Sequence, residues 1–573
     1  MAITSGSESS ISPHRPRIPK LWSLLYLFPL AFLALFFCYP LFTVLRIAFA
    51  DGFGGLRQLL DPYYLRVLWF TTWQALLSTA LTLLLALPAA YAFARYDFVG
   101  KSLLRAISSV PFVMPTVVVA AAFSALLGPR GILNSALQAI TGAAQPPIQI
   151  QGTIWLILLA HIFYNYTVVL RLVGGFWSNL DTRLEQAAAV LGAPRWRVWW
   201  EVTLPLLMPS LAAAALLIFI FNFTSFGVVV LLGGPRFATL EVEVYRQVSQ
   251  LLRLDIASAL SLIQLVCTMG LTLLYTRMVA RASVPLDLRP REAQLRPVRT
   301  WGARLLVGGN VAVMLLLLAV PLLALVLASL SPSGQPFRYY SELGTNRTGS
   351  VFYVAPAVAI RNSLMFGLAT TVIALLIGSL AAYLLAQRDT SGAKPSPKRA
   401  LLGLVDALFM LPLGTSAVTL GLGFLVAFAE PPLAWRASPW IIPVVHALVA
   451  APFVVRTLLP VLRGLDDRLR QAAAVLGASP RRVWREIDLP ILFPALLVGA
   501  VFAFTASLGE FGATVMLARP EYPTLPLVIF RFLGQPGALN YGQALALSTI
   551  LMLTTALSFM LLERIRYRDI GEF

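Results

Sequence analysis

Apolar residues in this chain fall into long runs, and polar residues into the shorter stretches between them. Twelve runs stand out, at 21–45, 67–94, 103–127, 153–176, 208–232 and 257–278, then at 305–330, 362–386, 401–428, 439–460, 491–516 and 541–562. A helix crosses a hydrocarbon core about 30 Å thick in roughly 20 residues, so each run is long enough to span. Their lengths, and the Gly and Pro inside several of them, suit bundled helices; a barrel strand would alternate over only about 10 residues. The predicted fold class is an all-α polytopic membrane protein of about twelve transmembrane helices. The most polar long stretch, 280–304, lies between the sixth and seventh runs and predicts a cytoplasmic linker, as does 387–399 a cytoplasmic loop. Residues 233–256, 331–360, 429–438 and 517–540 fall on the opposite face.

The second set of runs repeats the first. RLEQAAAVLGAPRWRVWWEVTLPLLMP at 183–209 returns as RLRQAAAVLGASPRRVWREIDLPILFP at 468–494, with 18 of 27 positions identical at an offset of 285. The same offset pairs His161 with His446, Arg171 with Arg456, Gly227 with Gly512, Pro235 with Pro520, Thr239 with Thr524 and Arg246 with Arg531. Shared hydrophobicity alone would not hold such residues in register, so the chain is an internal duplication. Six spans return the chain to its starting side, so the two six-helix repeats share one orientation and an axis near the membrane normal. The expected organisation is a cytoplasmic tail at 1–20, a first domain at 21–279, the linker at 280–304, a second domain at 305–562 and a cytoplasmic tail at 563–573.

Composition agrees with a membrane protein: 58% apolar residues, 12% charged and a mean hydropathy of +0.79. The net charge of +19 would suggest nucleic acid in a soluble protein. Here Lys20, Lys101, Lys394, Lys398 and the cluster Arg277, Arg281, Arg289, Arg291, Arg296, Arg299 and Arg304 all fall on one side, the bias that keeps basic loops cytoplasmic. Both termini are therefore expected inside, with membrane lipid as a partner and no nucleic acid. Cys38 and Cys267 both sit in apolar runs, which implies neither a disulfide framework nor a zinc site. The polar first 20 residues lead into a run without a small-residue cleavage site, and predict an uncleaved first span.

The duplicated block carries the most specific signal. In each copy the helical run QAAAVL ends at Gly192 or Gly477, which can take the left-handed conformation that closes a helix. A short amphipathic helix should follow, mixing Val198, Trp199, Val483 and Trp484 with Arg197, Glu201, Arg482 and Glu486, as a helix presented to a protein groove does. Leu204-Pro205 and Leu489-Pro490 should then break it before the next span. Helices lying on the membrane surface are the alternative, but they need no Gly at a fixed distance from a Leu-Pro.

The spacing of Gln186-Ala187-Ala188, Gly192 and Leu204-Pro205, repeated as Gln471-Ala472-Ala473, Gly477 and Leu489-Pro490, resembles the EAA loop of ABC importer permeases. That family's motif usually begins with Glu, so the Gln here removes a salt bridge from that position. The passages LLAHIFYN, SFGVVVLLGGPRFATLEVEVYRQV and SLGEFGATVMLARPEYPTLPL are similar to the thiamine and ferric-iron importer branch. The resemblance implies a fused permease of the bacterial cytoplasmic membrane that moves a small solute, thiamine or ferric iron first among them. It implies two copies of a cytoplasmic ABC ATPase docked on the two loops, an extracytoplasmic solute-binding protein, and ATP and Mg on the ATPase subunits, with no cofactor bound by this chain. Gly100-Lys101-Ser102 is no nucleotide loop: Arg95 stands where the earlier glycine belongs, and no strand precedes it.

Ionisable groups at membrane depth are costly and therefore candidates for function. Glu510 would draw a cation if it faces a central path, or else bond a neighbouring helix near the outer edge; its repeat position in the first half is Ser225. His161 and His446 occupy equivalent places, and a metal held across the axis competes with helix-joining hydrogen bonds. No carboxylate or thiolate cluster accompanies them, so no metal site is expected. Asn165 and Tyr164 are further candidates for the path. Arg171 and Arg456 should sit at the cytoplasmic ends of their spans and anchor the duplicated loops. No catalytic constellation appears. The rival function, an ion-gradient-driven secondary transporter, would need intramembrane acidic or broken-helix ion sites, which are sparse in the sequence.

Overall fold

A computed structural model describes residues 27–570 apart from 51, 53, 283–294, 332–333, 347–353, 387–396, 432 and 518. The tail at 1–20, residues 283–294 of the linker and residues 571–573 of the second tail lie outside the described residues. Among the described residues, eleven helices are long and apolar enough to cross a membrane, and the bent pair Leu401–Gly414 and Ala417–Ala427, taken as one span, brings the number to twelve. Trp69, Leu84, Leu316 and Leu557 stand 64–72% exposed on these helices. Such side chains would drive aggregation in water and form the lipid face in a bilayer. Local signals set helix starts: Asp61 accepts the Tyr63 N–H at 2.8 Å and Pro62 fills the first turn of Pro62–Arg95.

The repeat becomes geometry, with donors 285 residues apart and their acceptors, in the second span of each half, 292 apart. The Leu240 N–H donates to the Thr71 hydroxyl at 3.0 Å, and in the other half the Leu525 N–H donates to the Ser363 hydroxyl at 2.8 Å. Phe226 and Phe511 stack with ring centroids 5.3 Å apart, and Tyr245 meets Phe530 edge-on at 6.5 Å. Both pairs are repeat mates. Mates can touch each other only where the pseudo-two-fold axis passes, so these four rings mark it.

The halves are interleaved rather than side by side. The first span, Leu27–Ala48, packs on Ala417–Ala427 of the second half, while Val320–Ala328 packs on Thr116–Leu127 of the first. The approach is close because Gly423 faces Pro40, where a Cβ would stand 3.1 Å from the proline ring.

Three expectations from the sequence need correction. Broken helices, expected to be sparse, occur four times. The run 103–127 divides into Lys101–Val113 and Thr116–Leu127, and the run 401–428 turns by 99° before Ala417. The runs 208–232 and 491–516 stop at Phe223 and Gly509 and resume as Gly227–Leu232 and Gly512–Leu517. Hydropathy cannot register these turns, because the residues on both sides of each break are equally apolar.

Leu204-Pro205 and Leu489-Pro490, in turn, do not end the amphipathic helices. Arg195–Phe223 and Pro480–Gly509 run on through π-helical turns at Trp199–Thr203 and Trp484–Asp488. A widened turn moves away the carbonyl that a proline ring would strike, so the chain absorbs the proline without breaking. Lastly, the end of the linker is tied down: Arg296–Pro297 pairs in parallel with Tyr96–Asp97, just after helix Pro62–Arg95.

Candidate functional site

The four helix breaks converge on the axis around a cavity of about 450 Å³. Thr116, Ser225, Ser416 and Glu510, one from each break, line it. A backbone interrupted at membrane depth is tolerated where side chains or a cavity satisfy its freed groups. Glu510 does this in the second half, accepting the N–H groups of Ala513 at 3.0 Å and Thr514 at 3.1 Å. The stacked Phe226 and Phe511 also line the cavity, so rings on the axis form part of its wall.

His161 and His446 join helices within their own halves. His161 Nδ1 meets the Ser78 hydroxyl at 2.9 Å and Nε2 meets Ser225 at 2.8 Å. His446 Nδ1 meets Ser507 at 2.8 Å, and Nε2 meets Thr514 at 2.8 Å with a Glu510 oxygen 3.3 Å away. Each imidazole thus aims Nε2 at the same repeat position, Ser225 in one half and Glu510 in the other. With both nitrogens of each ring engaged by hydroxyls, neither offers a lone pair across the axis.

Asn165 and Tyr164 line the cavity with His161, and Asn165 donates to Asn222 Oδ1 at 2.9 Å. Glu241 was missed from the sequence because 233–256 reads as an outer loop. It sits on Leu240–Ser249, a helix folded back into the protein, where it is buried, accepts from Gln264 at 2.7 Å and reaches the cavity. The repeat was the available signal: Thr239, which fixes the start of that helix, is matched by Thr524.

The duplicated block forms two elbows of one shape. Helices Thr182–Val190 and Asp467–Val475 are capped by Asp181 and Asp466. They close at Gly192, with φ of 83°, and Gly477, with φ of 81°. The Ala193 and Ala478 N–H groups return to the Ala188 and Ala473 carbonyls at 3.1 and 3.0 Å. At the tips Val190, Leu191, Val475 and Leu476 are 87–88% exposed. Gln186, Ala187, Gln471 and Ala472 are exposed beside them. Arg197 faces Glu201 at 3.5 Å and Arg482 faces Glu486 at 3.0 Å; the Arg482 hydrogen bond holds the Glu486 carboxyl below the usual range.

Two of the expected roles change. Trp199 turns inward, its ring 5.4 Å from the buried Trp177, while Trp484 remains exposed. Arg171 donates to Ser109 and Arg456 to Met410 at 3.2 Å, both on neighbouring helices. The ion pairs at the elbows are instead Arg95 with Glu185 at 2.6 Å and Arg470 with Asp488 at 2.9 Å. Positions 185 and 470 are repeat mates of opposite charge, and so the tie survives with its polarity reversed.

Residues 82–284 match the family described as binding-protein-dependent transport system inner membrane component. The putative 2-aminoethylphosphonate transport system permease protein PhnV of Salmonella paratyphi A (strain ATCC 9150 / SARB42) is 30% identical over 249 residues, 44% of this chain and 89% of that protein. This chain belongs to that permease family. Longer matches cover both halves: the thiamine transport system permease protein ThiP of Escherichia coli (strain K12) is 26% identical over 89% of this chain and 90% of its own length. The ThiP protein of Brucella abortus (strain 2308) is 28% identical over 86% and 87%. The chain is therefore a multi-pass inner-membrane transport subunit rather than an enzyme, and as an ABC permease it works with ATPase and solute-binding partners. The ion-gradient alternative falls with that membership.

Proposed function

We propose that this permease carries thiamine inward, driven by two copies of a cytoplasmic ABC ATPase seated on the two elbows, with both termini of the chain cytoplasmic. ATP and Mg act on those subunits. The observation that carries this reading is the equivalence of the elbows, whose apolar tips Val190-Leu191 and Val475-Leu476 are left bare in both copies. A bare apolar tip rimmed by charge is what a helix seated in a partner's groove leaves when the partner is absent. Gln186, Ala188, Gln471 and Ala473 shape the flank of each elbow. The continuous helices Arg195–Phe223 and Pro480–Gly509 lead from the elbows to the cavity, so rotation at the elbows reaches the cavity walls as rigid-body motion. Phe226 and Phe511 then act as the gate on the axis, parting when the halves rock outward.

Thiamine is preferred to ferric ion for two reasons. Permeases named for thiamine match along both halves, and the cavity wall is aromatic as well as acidic. Proteoliposomes holding the permease with its ATPase and binding-protein partners should accumulate labelled thiamine only with ATP inside the cytoplasmic compartment. Uptake at the same rate without ATP, or none with every component present, contradicts the proposal.

A further inference from the structure

The cavity holds two carboxyl groups that come from opposite halves and from non-equivalent positions: Glu241, whose repeat mate is Pro526, and Glu510, whose mate is Ser225. Among the described residues no Lys or Arg lines it, and His161 has both ring nitrogens occupied. Glu241 also reaches Ser416 of the second half and feels the charge of Glu510. Glu241 has no basic partner among the described residues, and Glu510 has only the His446 imidazole, 3.3 Å away; burying such groups is costly, and a bound cation is the usual compensation.

A second observation points to a ligand. Asn222, 1% exposed, lines the cavity; its Oδ1 accepts from Asn165, but its Nδ2 has no hydrogen-bond partner. An enclosed donor without an acceptor is destabilising unless a bound molecule supplies one. Phe112, Phe221, Phe226 and Phe511 present ring faces and edges around the same space, suited to a flat cation by stacking and cation–π attraction. A volume near 450 Å³ is that of a site for a small organic molecule.

We propose that this cavity is an intramembrane binding site for a planar organic cation that carries a hydrogen-bond acceptor, held by Glu241 and Glu510 from the two halves and oriented by Asn222. The proposal rests on the thiamine reading only for the choice of first probe. Lacking two-fold symmetry, such a solute lies in one orientation, carboxyls toward its charge and Asn222 toward its acceptor.

The test is equilibrium binding to the purified full-length permease in nanodiscs, without ATPase or binding protein. Three probes serve: thiamine, the planar cation 1-methylnicotinamide, and thiochrome, a neutral planar derivative of thiamine. The site should take both cations and exclude thiochrome. Glu241→Gln keeps an oxygen for Gln264, and should weaken cation binding by about ten- to a hundredfold, the range for one charged contact. Glu510→Gln should do the same, with its melting temperature measured alongside because it disturbs the bonds to Ala513 and Thr514; if it does not fold, Glu241→Gln decides. Cation affinity unchanged in Glu241→Gln, or thiochrome bound as tightly as thiamine, overturns the site. Failure of both cations to bind while the complete transporter imports thiamine also overturns the site and leaves the thiamine reading standing. Glutamate-dependent binding of 1-methylnicotinamide by a transporter that does not import thiamine has the opposite meaning.

Discussion

The two halves agree at their elbows and disagree around the cavity. Their elbows share left-handed glycines, bare apolar tips and an Arg-to-Glu pair one helical turn apart. Around the cavity, Ser225 in one half answers Glu510 in the other, Glu241 answers Pro526, and Gly227 faces Thr116 where Gly512 faces Ala417. The difference has a physical reason. Under the proposed function, two equal ATPases would present equal surfaces and so keep the elbows equal. A small solute without two-fold symmetry makes different contacts with each wall and lets the walls diverge.

The comparison breaks most visibly at the elbow glycines. Pro at a position with φ above 80° is impossible without refolding the turn. Gly192→Pro and Gly477→Pro should each abolish ATP-dependent uptake in vesicles while leaving membrane insertion intact. Near-normal uptake in either one would show that the halves are not equal partners.

The ties at the elbows should be unequal. Arg95 is 3% exposed, so Glu185→Ala leaves a buried guanidinium unpaired, at a cost of about 3 kcal/mol. Arg470 is 36% exposed, so Asp488→Ala leaves a guanidinium that water solvates and should cost under about 1 kcal/mol. Thermal unfolding in detergent reads both; equal losses would contradict the difference in burial.

The glycines at the breaks give a smaller contrast. A Cβ at Gly227 would stand 2.2 Å from the Thr116 hydroxyl, whereas one at Gly512 would meet the Ala417 methyl at 3.1 Å. Overpacking of this kind costs roughly 1–3 kcal/mol, with Gly227→Ala toward the upper end and Gly512→Ala toward the lower. Adding Thr116→Ala should restore much of the melting temperature lost in Gly227→Ala and do nothing for Gly512→Ala. No rescue would mean that the close approach is not the cause.

Span number, duplication and elbows were legible in the sequence because they rest on run length, register and the Gly-to-Pro spacing. The cavity was less so. His161, Asn165 and Glu510 stood out as polar groups in apolar runs, but Glu241 lay in a stretch polar enough to pass for a loop, and only folding carries it inward. The helix breaks left no trace in hydropathy. Arg95 and Glu185 are 90 residues apart, and nothing local in either segment announces the other. Phe226 and Phe511 were in register from the start, yet that mates touch at the axis is a property of the assembled halves.

Crosslinking from the elbow tips tests the central claim most directly. A single cysteine at Val190 or at Val475, with Cys38 and Cys267 replaced, should crosslink to the ATPase subunit in membranes with similar yield at both positions, and nucleotide should change both yields together. A tip that reacts only with a reagent confined to the extracytoplasmic side, or that links to lipid and never to the ATPase, would contradict the account.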